Sequence, residues 1–460
     1  MSLFASVILI AWPAIVVGVF ATCKPRRAIL IAFVVGWLFL PHIFLKLPGL
    51  PDYGKLPATS LGTLLAVLIY DSGRLLSFRP RWPDACWIAW VLCPIASSLS
   101  NNLGLYDGLA ESWAQFMSWG APILLGRIYF GASDSLRELA LSVVYGAMVY
   151  APLALLETKI GPVLNLRLYG FQASSFMHAA RYGGWRPQVF MQTGLALAVW
   201  MAAAAFIAFW FWRSGSRGRV FGLPMAVCAP TLMFMTFVCK SGSGLIVLLL
   251  GVVSYYSLKL LRTKLPMLLL LVTPALYIAT RAAEVLPAET ITTTVALVDA
   301  DRAASLGQRL RQEELFGRHS MIRPLFGWGG WMRGWPRDEE GELIVKVIDG
   351  AWTIHISTKG VFGVTAFLAT LAIGPWLLFS KVPLRQWMLE QNVAAVALAT
   401  LVMLYGLDNL MNNMLQPIYE LAIGGLISYA LAWKPAPRGQ RVVLPQVATP
   451  TPPHGEPVAV

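Results

Sequence analysis

Apolar runs of about 20 residues, the length of helix that crosses a hydrocarbon core, recur from one end of this 460-residue chain to the other. They fall near residues 3–22, 28–47, 58–71, 85–100, 113–130, 138–157, 188–212, 220–239, 244–261, 265–281, 353–380, 391–408 and 417–433, with the third the shortest. A soluble core has no place for thirteen such segments. Composition agrees: 57% of residues are hydrophobic and 13% charged, where a soluble domain carries about 25% charged residues, and the mean hydropathy is +0.63. In lipid the backbone must satisfy its own hydrogen bonds. The expected fold is therefore an all-α polytopic membrane protein of about 12–13 transmembrane helices. One transmembrane domain covers 1–433, and a proline-rich tail, 434–460, is expected to be cytoplasmic and disordered.

Charge placement orients the chain. With thirteen spans and the N-terminus outside, alternate loops hold 19 of the 36 lysines and arginines, from Lys24, Arg26 and Arg27 to Lys434, Arg438 and Arg441. The shorter outer segments hold 7, and ten surround the long outer loop, where the positive-inside rule lapses. Removing the short third span would destroy this alternation. Much of the net charge of +13 is thus topological and implies no nucleic-acid partner. The five cysteines lack paired or CxxC spacing, so neither a disulfide framework nor a metal site is expected. The first span has no basic residues before it and Lys-Pro-Arg-Arg after it, which reads as an N-out anchor and not a cleaved signal.

Two outer segments carry the candidate chemistry. Residues 158–186 contain Lys159, Arg167, Arg181 and Arg186 and no acid; the loop 282–352 holds seven arginines between 302 and 337 against Glu313 and Glu314. Guanidinium groups pair bidentately with phosphate oxygens, so a membrane-borne lipid pyrophosphate fits. Snorkelling to headgroups and local salt bridges account for the same composition. Residues 302–316 read as a surface helix with Ser305, Arg309 and Gln312 on one face; Arg309 can equally pair with Glu313 one turn on. Pro324-Leu325-Phe326-Gly327-Trp328-Gly329-Gly330 reads as a turn. Glu157 and Asp408-Asn409, at outer ends of spans, are polar candidates because ionisable groups at membrane depth are costly. His42, His178 and His355 are lone histidines, more often structural than functional.

Ser305-x-x-x-Arg309, then Pro324-Leu325-Phe326-Gly327-Trp328-Gly329, then Gly360-Val361-Phe362-Gly363 opening a span, resembles in order and spacing the bacterial O-antigen ligase and polymerase superfamily. The resemblance is clearest over roughly 180–375 and architectural elsewhere. It implies a protein of the bacterial inner membrane whose loop 282–352 is periplasmic. It further implies glycan transfer from an undecaprenyl-pyrophosphate carrier to a glycan or lipid acceptor, without metal, nucleotide or other cofactor. By position Arg309 matches the family's loop-helix arginine, and Arg186 the earlier one, with Arg181 as its rival; fixed cations there would stabilise the departing pyrophosphate.

The chain departs from the ligase pattern twice. The family histidine, about eleven residues before the glycine of the GxxG-like element, falls on Asp349, which could serve as general base for an acceptor hydroxyl or cap the next helix. Ser241-Gly242-Ser243-Gly244 resembles a family Ser-Arg-Ser-Gly run with glycine in place of arginine, leaving Lys240 as the nearby cation. The expectation is a glycosyltransferase with Asp349 and Glu157 as catalytic candidates and Arg186, Arg309, Arg181 and Lys240 at the pyrophosphate. Polymerisation is slightly favoured over ligation to lipid A core because the ligase histidine is absent. A transporter or flippase, and a non-catalytic scaffold, are the competing classes; no internal repeat supports the former.

Overall fold

Helices form wherever the apolar runs predict them, and each end lies where the local sequence stops paying into the intrahelical ladder. The computed structural model describes residues 2–434 except 47–48, 50, 175–178, 182, 217, 284, 286, 298–299 and 346–347, with backbone only at 300–302 and 305. The proline-rich tail, His178 and the Ser305 side chain therefore lie outside the described residues. Helices α1 (Leu3–Thr22), α2 (Pro25–Phe39) and α3 (Lys55–Tyr70) are followed by the short α4 (Ser72–Leu76) and by α5 (Asp84–Ser100). Next, α6 (Leu105–Gln115), a π-helical turn at Phe116–Gly120 and α7 (Ala121–Tyr129) run on as one rod. Then come α8 (Ser133–Ile160), α9 (Leu164–Tyr169), α10 (Gly194–Arg213), α11 (Met225–Val238), α12 (Gly242–Leu261) and α13 (Leu265–Ala282). Two loop helices, α14 (Ala288–Ala296) and α15 (Ala300–Ser320), precede α16 (Ala351–Lys381), α17 (Glu390–Met411) and α18 (Pro417–Ala432). The described strands form only two tiny antiparallel hairpins, Ala180–Arg181 with Gly184–Trp185 and Arg219–Val220 with Leu223–Pro224.

Seven helices, α1, α8, α10, α12, α13, α16 and α17, are long and apolar enough to cross a membrane, and α3, α5, α11 and α18 are shorter apolar helices. The chain is an all-α polytopic membrane protein. Burial separates centre from rim: 94% of the most apolar stretch of α10 and of α17 is buried, against 22% for α13. The alanines Ala202–Ala205 of α10 give a flat surface on which neighbours approach closely. A sharper device joins α7 to α18. A Cβ on Gly424 would lie 2.0 Å from the Ile123 carbonyl oxygen, and one on Gly126 2.3 Å from that of Leu421, so only glycine fits either position.

The basic connecting segments meet at one end of the bundle. Arg127 pairs with Asp84 at 2.7 Å, Arg26 with Glu138 at 2.7 Å and Arg137 with Glu390 at 2.6 Å, while Lys264 Nζ donates to the Val382 carbonyl at 3.3 Å. Each contact joins segments that charge alternation assigns to one face.

Several span boundaries move. The run 28–47 is helical only to Phe39, because Pro41 disfavours helical geometry at Leu40; the chain beyond is extended, and Leu45 bridges to Tyr53. The rod read as 113–130 begins at Leu105. The span read as 188–212 begins at Gly194, where the Thr193 side chain accepts the Ala196 N–H as N-cap, so Arg186-Pro187-Gln188-Val189-Phe190 is a turn lying before the helix.

Candidate functional site

The turn at 324–329 and the glycine element at 360–363 dock on one another. Gly360, at φ +64°, breaks α16 into two helices. The segment after it is 21 residues by the bounds of α16, roughly 30 Å at 1.5 Å per residue, enough for a hydrocarbon core. The break frees backbone groups that cannot stay unpaired at this depth. Residues 324–329 take them up. Val361 N–H donates to the Pro324 carbonyl (2.7 Å) and Phe362 N–H to that of Leu325 (3.1 Å), while Trp328 and Gly329 N–H donate to the carbonyls of Ser357 (2.8 Å) and Thr358 (2.9 Å). A Cβ on Gly360 would stand 2.5 Å from the Leu325 oxygen, and one on Gly327 (φ +65°) 2.6 Å from the Gly360 nitrogen. The end of α5 clamps the joint: Ser97 Oγ lies 2.6 Å from the carbonyls of Phe326 and Thr358, and Asn101 donates to the Gly327 carbonyl at 2.9 Å. Sequence reasoning overlooked Ser97 and Asn101, although Ser97-Ser98-Leu99-Ser100-Asn101-Asn102 is an unusually polar end for a span.

This joint fixes the loop beside α16, and Arg309 meets Asp349 just before the start of that helix. The guanidinium Nε lies 2.9 Å from Asp349 Oδ2, with the two side chains 39% and 38% exposed. Both local alternatives fail. Glu313 does not pair with Arg309; it takes the Tyr277 hydroxyl (2.9 Å) and the buried Arg281 (3.4 Å), which also reaches Glu314 (3.1 Å) and the Leu310 carbonyl (2.8 Å). That network pins α15 to α13 and so orients the turn carrying Arg309; burial pushes the Glu313 carboxyl up despite Tyr277 and Arg281. Nor is Asp349 a cap, since the N-cap of α16 is Gly350 and no side chain caps it. An ion pair this exposed is worth only about 0–1 kcal/mol, so an incoming anion can open it cheaply. The Arg309 charge also reaches Asp408, which is 7% exposed and accepts Asn412 Nδ2 at 2.7 Å.

The second cationic group is Arg186, Arg181 and Lys240. Arg186 is 8% exposed, forms no ion pair among the described residues, and its Nε is buried without a hydrogen-bond partner. Burial, with the neighbouring Arg181 charge, pulls its pKa down to about 10. Lys240 Nζ donates to the Arg181 carbonyl at 3.0 Å. Burying an uncompensated guanidinium is expensive, and an anion would offset it. Glu157, expected as a catalytic candidate, is built into the scaffold of this group instead. It is fully buried, and its oxygens accept backbone N–H from Leu164 (3.0 Å), Gln188 (2.8 Å) and Val189 (2.6 Å). Oε2 holds the turn that follows Arg186 and Oε1 the start of α9.

The N-terminus of α12 links the two groups. Lys240 precedes it, and Ser243 Oγ accepts Asn412 Nδ2 at 3.2 Å, the same amide that serves Asp408. Space is open where a Cβ on Gly242 would lie, and the free N–H groups of this 20-residue helix add positive potential beside Lys240. Among the described residues no cluster of His, Cys, Asp and Glu could hold a metal ion. No protein-family model matches the chain, and no curated protein matches it in sequence.

Proposed function

We propose that this protein is a membrane glycosyltransferase that moves a glycan from an undecaprenyl-pyrophosphate carrier to a glycan or lipid acceptor at the periplasmic face of a bacterial inner membrane. In this reading thirteen rods span the bilayer, α6 and α7 counting as one, and the end bearing Arg26, Arg127 and Lys264 is cytoplasmic. The reading is carried by one observation: Arg186, buried without a carboxylate, has the Arg181 charge beside it and Lys240 on the Arg181 carbonyl, and the α12 that follows Lys240 is tied through Ser243 and Asn412 to Asp408, which feels the charge of the openable Arg309–Asp349 pair. The diphosphate would take up Arg186 and Arg309, releasing Asp349 to accept the proton of the attacking hydroxyl. Negative charge growing on the departing pyrophosphate would meet fixed donors that need no reorganisation. Docking of 324–329 on Gly360 supports the resemblance, because the paired motifs form one structural unit. Polymerisation of repeat units is favoured over ligation to lipid A core, since Asp349 stands where ligases carry histidine.

The testing experiment is reconstitution with a lipid-pyrophosphate oligosaccharide and either a second lipid-linked glycan or lipid A core. Chain growth supports polymerisation, and transfer to core supports ligation. A second reading, a lipid-glycan transporter, draws on Glu420 and Asp408. Both are buried in spans with unpartnered carboxylate oxygens, a placement common in transport pathways. Movement of the glycan across the membrane without a new glycosidic bond would decide for it.

A further inference from the structure

A cavity of about 480 Å³ opens between Lys55, Lys359, His355 and Gln192, inside the ~300–1,000 Å³ range of ligand pockets. Two of its lining residues continue segments that frame the cationic site. Gln192 follows the turn held by Glu157, Asn413 follows the Asn412 that binds Asp408, and both line the cavity. Its walls combine two features seldom found together in a membrane body.

The first is aromatic. Trp37, Trp90 and Trp119 line the space, and the Trp90 and Trp119 rings pack edge to face at 5.9 Å. Faces of this kind present a large apolar area with low conformational cost, suited to the C–H face of a pyranose. The second is unpaired positive charge. Lys55 is 5% exposed, donates to the Trp37 carbonyl at 3.2 Å and lies 3.9 Å from the Trp37 ring centroid. Lys359 stands 5.6 Å from the Trp90 ring centroid. Neither lysine forms an ion pair among the described residues, although Asp52 and Glu111 share the cavity wall. His355 Nδ1 is buried with no partner, its ring held between Trp90 (4.6 Å) and Phe367 (4.7 Å). A buried Lys55 and a half-buried Lys359, neither in an ion pair among the described residues, are a standing electrostatic cost that an anion lowers.

We propose that this cavity binds an acidic sugar, a pyranose carrying a carboxylate, with the ring against the tryptophans and the carboxylate between Lys55 and Lys359. Asp52, Glu111 and Gln192 then accept or donate to ring hydroxyls, and His355 Nδ1 supplies one further hydrogen bond. The assignment rests on the glycan-transfer reading, because it names the sugar presented beside the reacting centre, but its test does not need turnover. A phosphate-bearing sugar shares the charge and differs in shape.

The full chain in lipid nanodiscs would be titrated with a glucuronate-bearing oligosaccharide, its neutral glucose counterpart and a phosphorylated counterpart. Tryptophan fluorescence reads binding directly, since three of the cavity walls are indoles. The acidic sugar is expected to bind about ten- to a hundredfold more tightly than the neutral one, the range for a charge-assisted contact. Lys359→Met should abolish that preference and leave the neutral sugar unchanged, while Lys359→Arg should retain most of it. Arg309→Lys should lose transfer and leave binding in the cavity intact, and sugar discrimination by an unaltered protein that transfers no glycan would count against the transferase reading alone. Equal binding of acidic and neutral sugars by the unaltered protein overturns the proposal. Tighter binding of the phosphorylated sugar overturns the carboxylate assignment.

Discussion

At the scale of single residues, the site turns on which charges are paired and which are not. Arg309 and Arg186 lie more than a hundred residues apart on different connecting segments and act together only if both grip one anion. Replacing either by lysine keeps the charge and loses the planar fork. Transfer by Arg309→Lys or Arg186→Lys should fall about a hundred- to a thousandfold, or about 2.7–4 kcal/mol by analogy with oxyanion-hole donors. The double variant should lose less than the sum, as groups serving one charge do. Near-wild-type transfer by both single variants, at matched membrane expression, would falsify the shared pyrophosphate site. Asp349 makes a separate case. With Gly350 at the N-cap of α16, Asp349→Asn leaves the helix start untouched and removes the base. Turnover is expected to drop about 10²–10⁴-fold with donor binding nearly unchanged. Single-turnover kinetics alongside donor binding would separate the two, and activity within about twofold of wild type would exclude the base.

Among elements, the joint between residues 324–329 and the broken α16 is the most exacting. Gly360 needs both a left-handed φ and room for the Leu325 carbonyl. Gly360→Ala should therefore cost about 1–3 kcal/mol from backbone strain alone, and more because the turn must withdraw. Gly327 faces it across the same contact, so the Gly327→Ala, Gly360→Ala pair should be less than additive. Thermal unfolding in detergent measures both, and proteolysis within 331–345 should accelerate as the turn undocks. Additive losses would mean that the two glycines do not report on one joint. The buried Arg281 network acts in the same way on α15, and its loss should move Arg309 without touching it.

Across the whole molecule, the prediction concerns sidedness. Contacts among the basic segments gather at one end of the bundle, and the cationic site lies at the other. Cysteine labelling of intact cells should reach Glu289→Cys, and Gln440→Cys only after permeabilisation. Equal labelling of both from outside would sink the thirteen-span arrangement and the placement of the site with it.

Hydropathy was enough to establish a helical membrane body and the existence of the short third helix, because apolarity is written into each segment's own composition; side-chain spacing marked the helix that carries Arg309. Helix ends were less legible. Pro41 and the Thr193 cap marked the ends of two runs, but apolarity continued past both. Pairing was not legible at all. Arg309 has Glu313 one turn away and meets Asp349 forty residues on, and Glu157 reads as a lone membrane acid yet accepts three backbone N–H groups. Such partners are chosen by the packing of distant helices, and a lysine without a carboxylate, as at Lys55 and Lys359, becomes visible only when every neighbour is in place. Apolarity is a property of each segment and can be read residue by residue, whereas the charges left for a ligand emerge from the packing of distant helices, because desolvation is a property of the assembled surroundings.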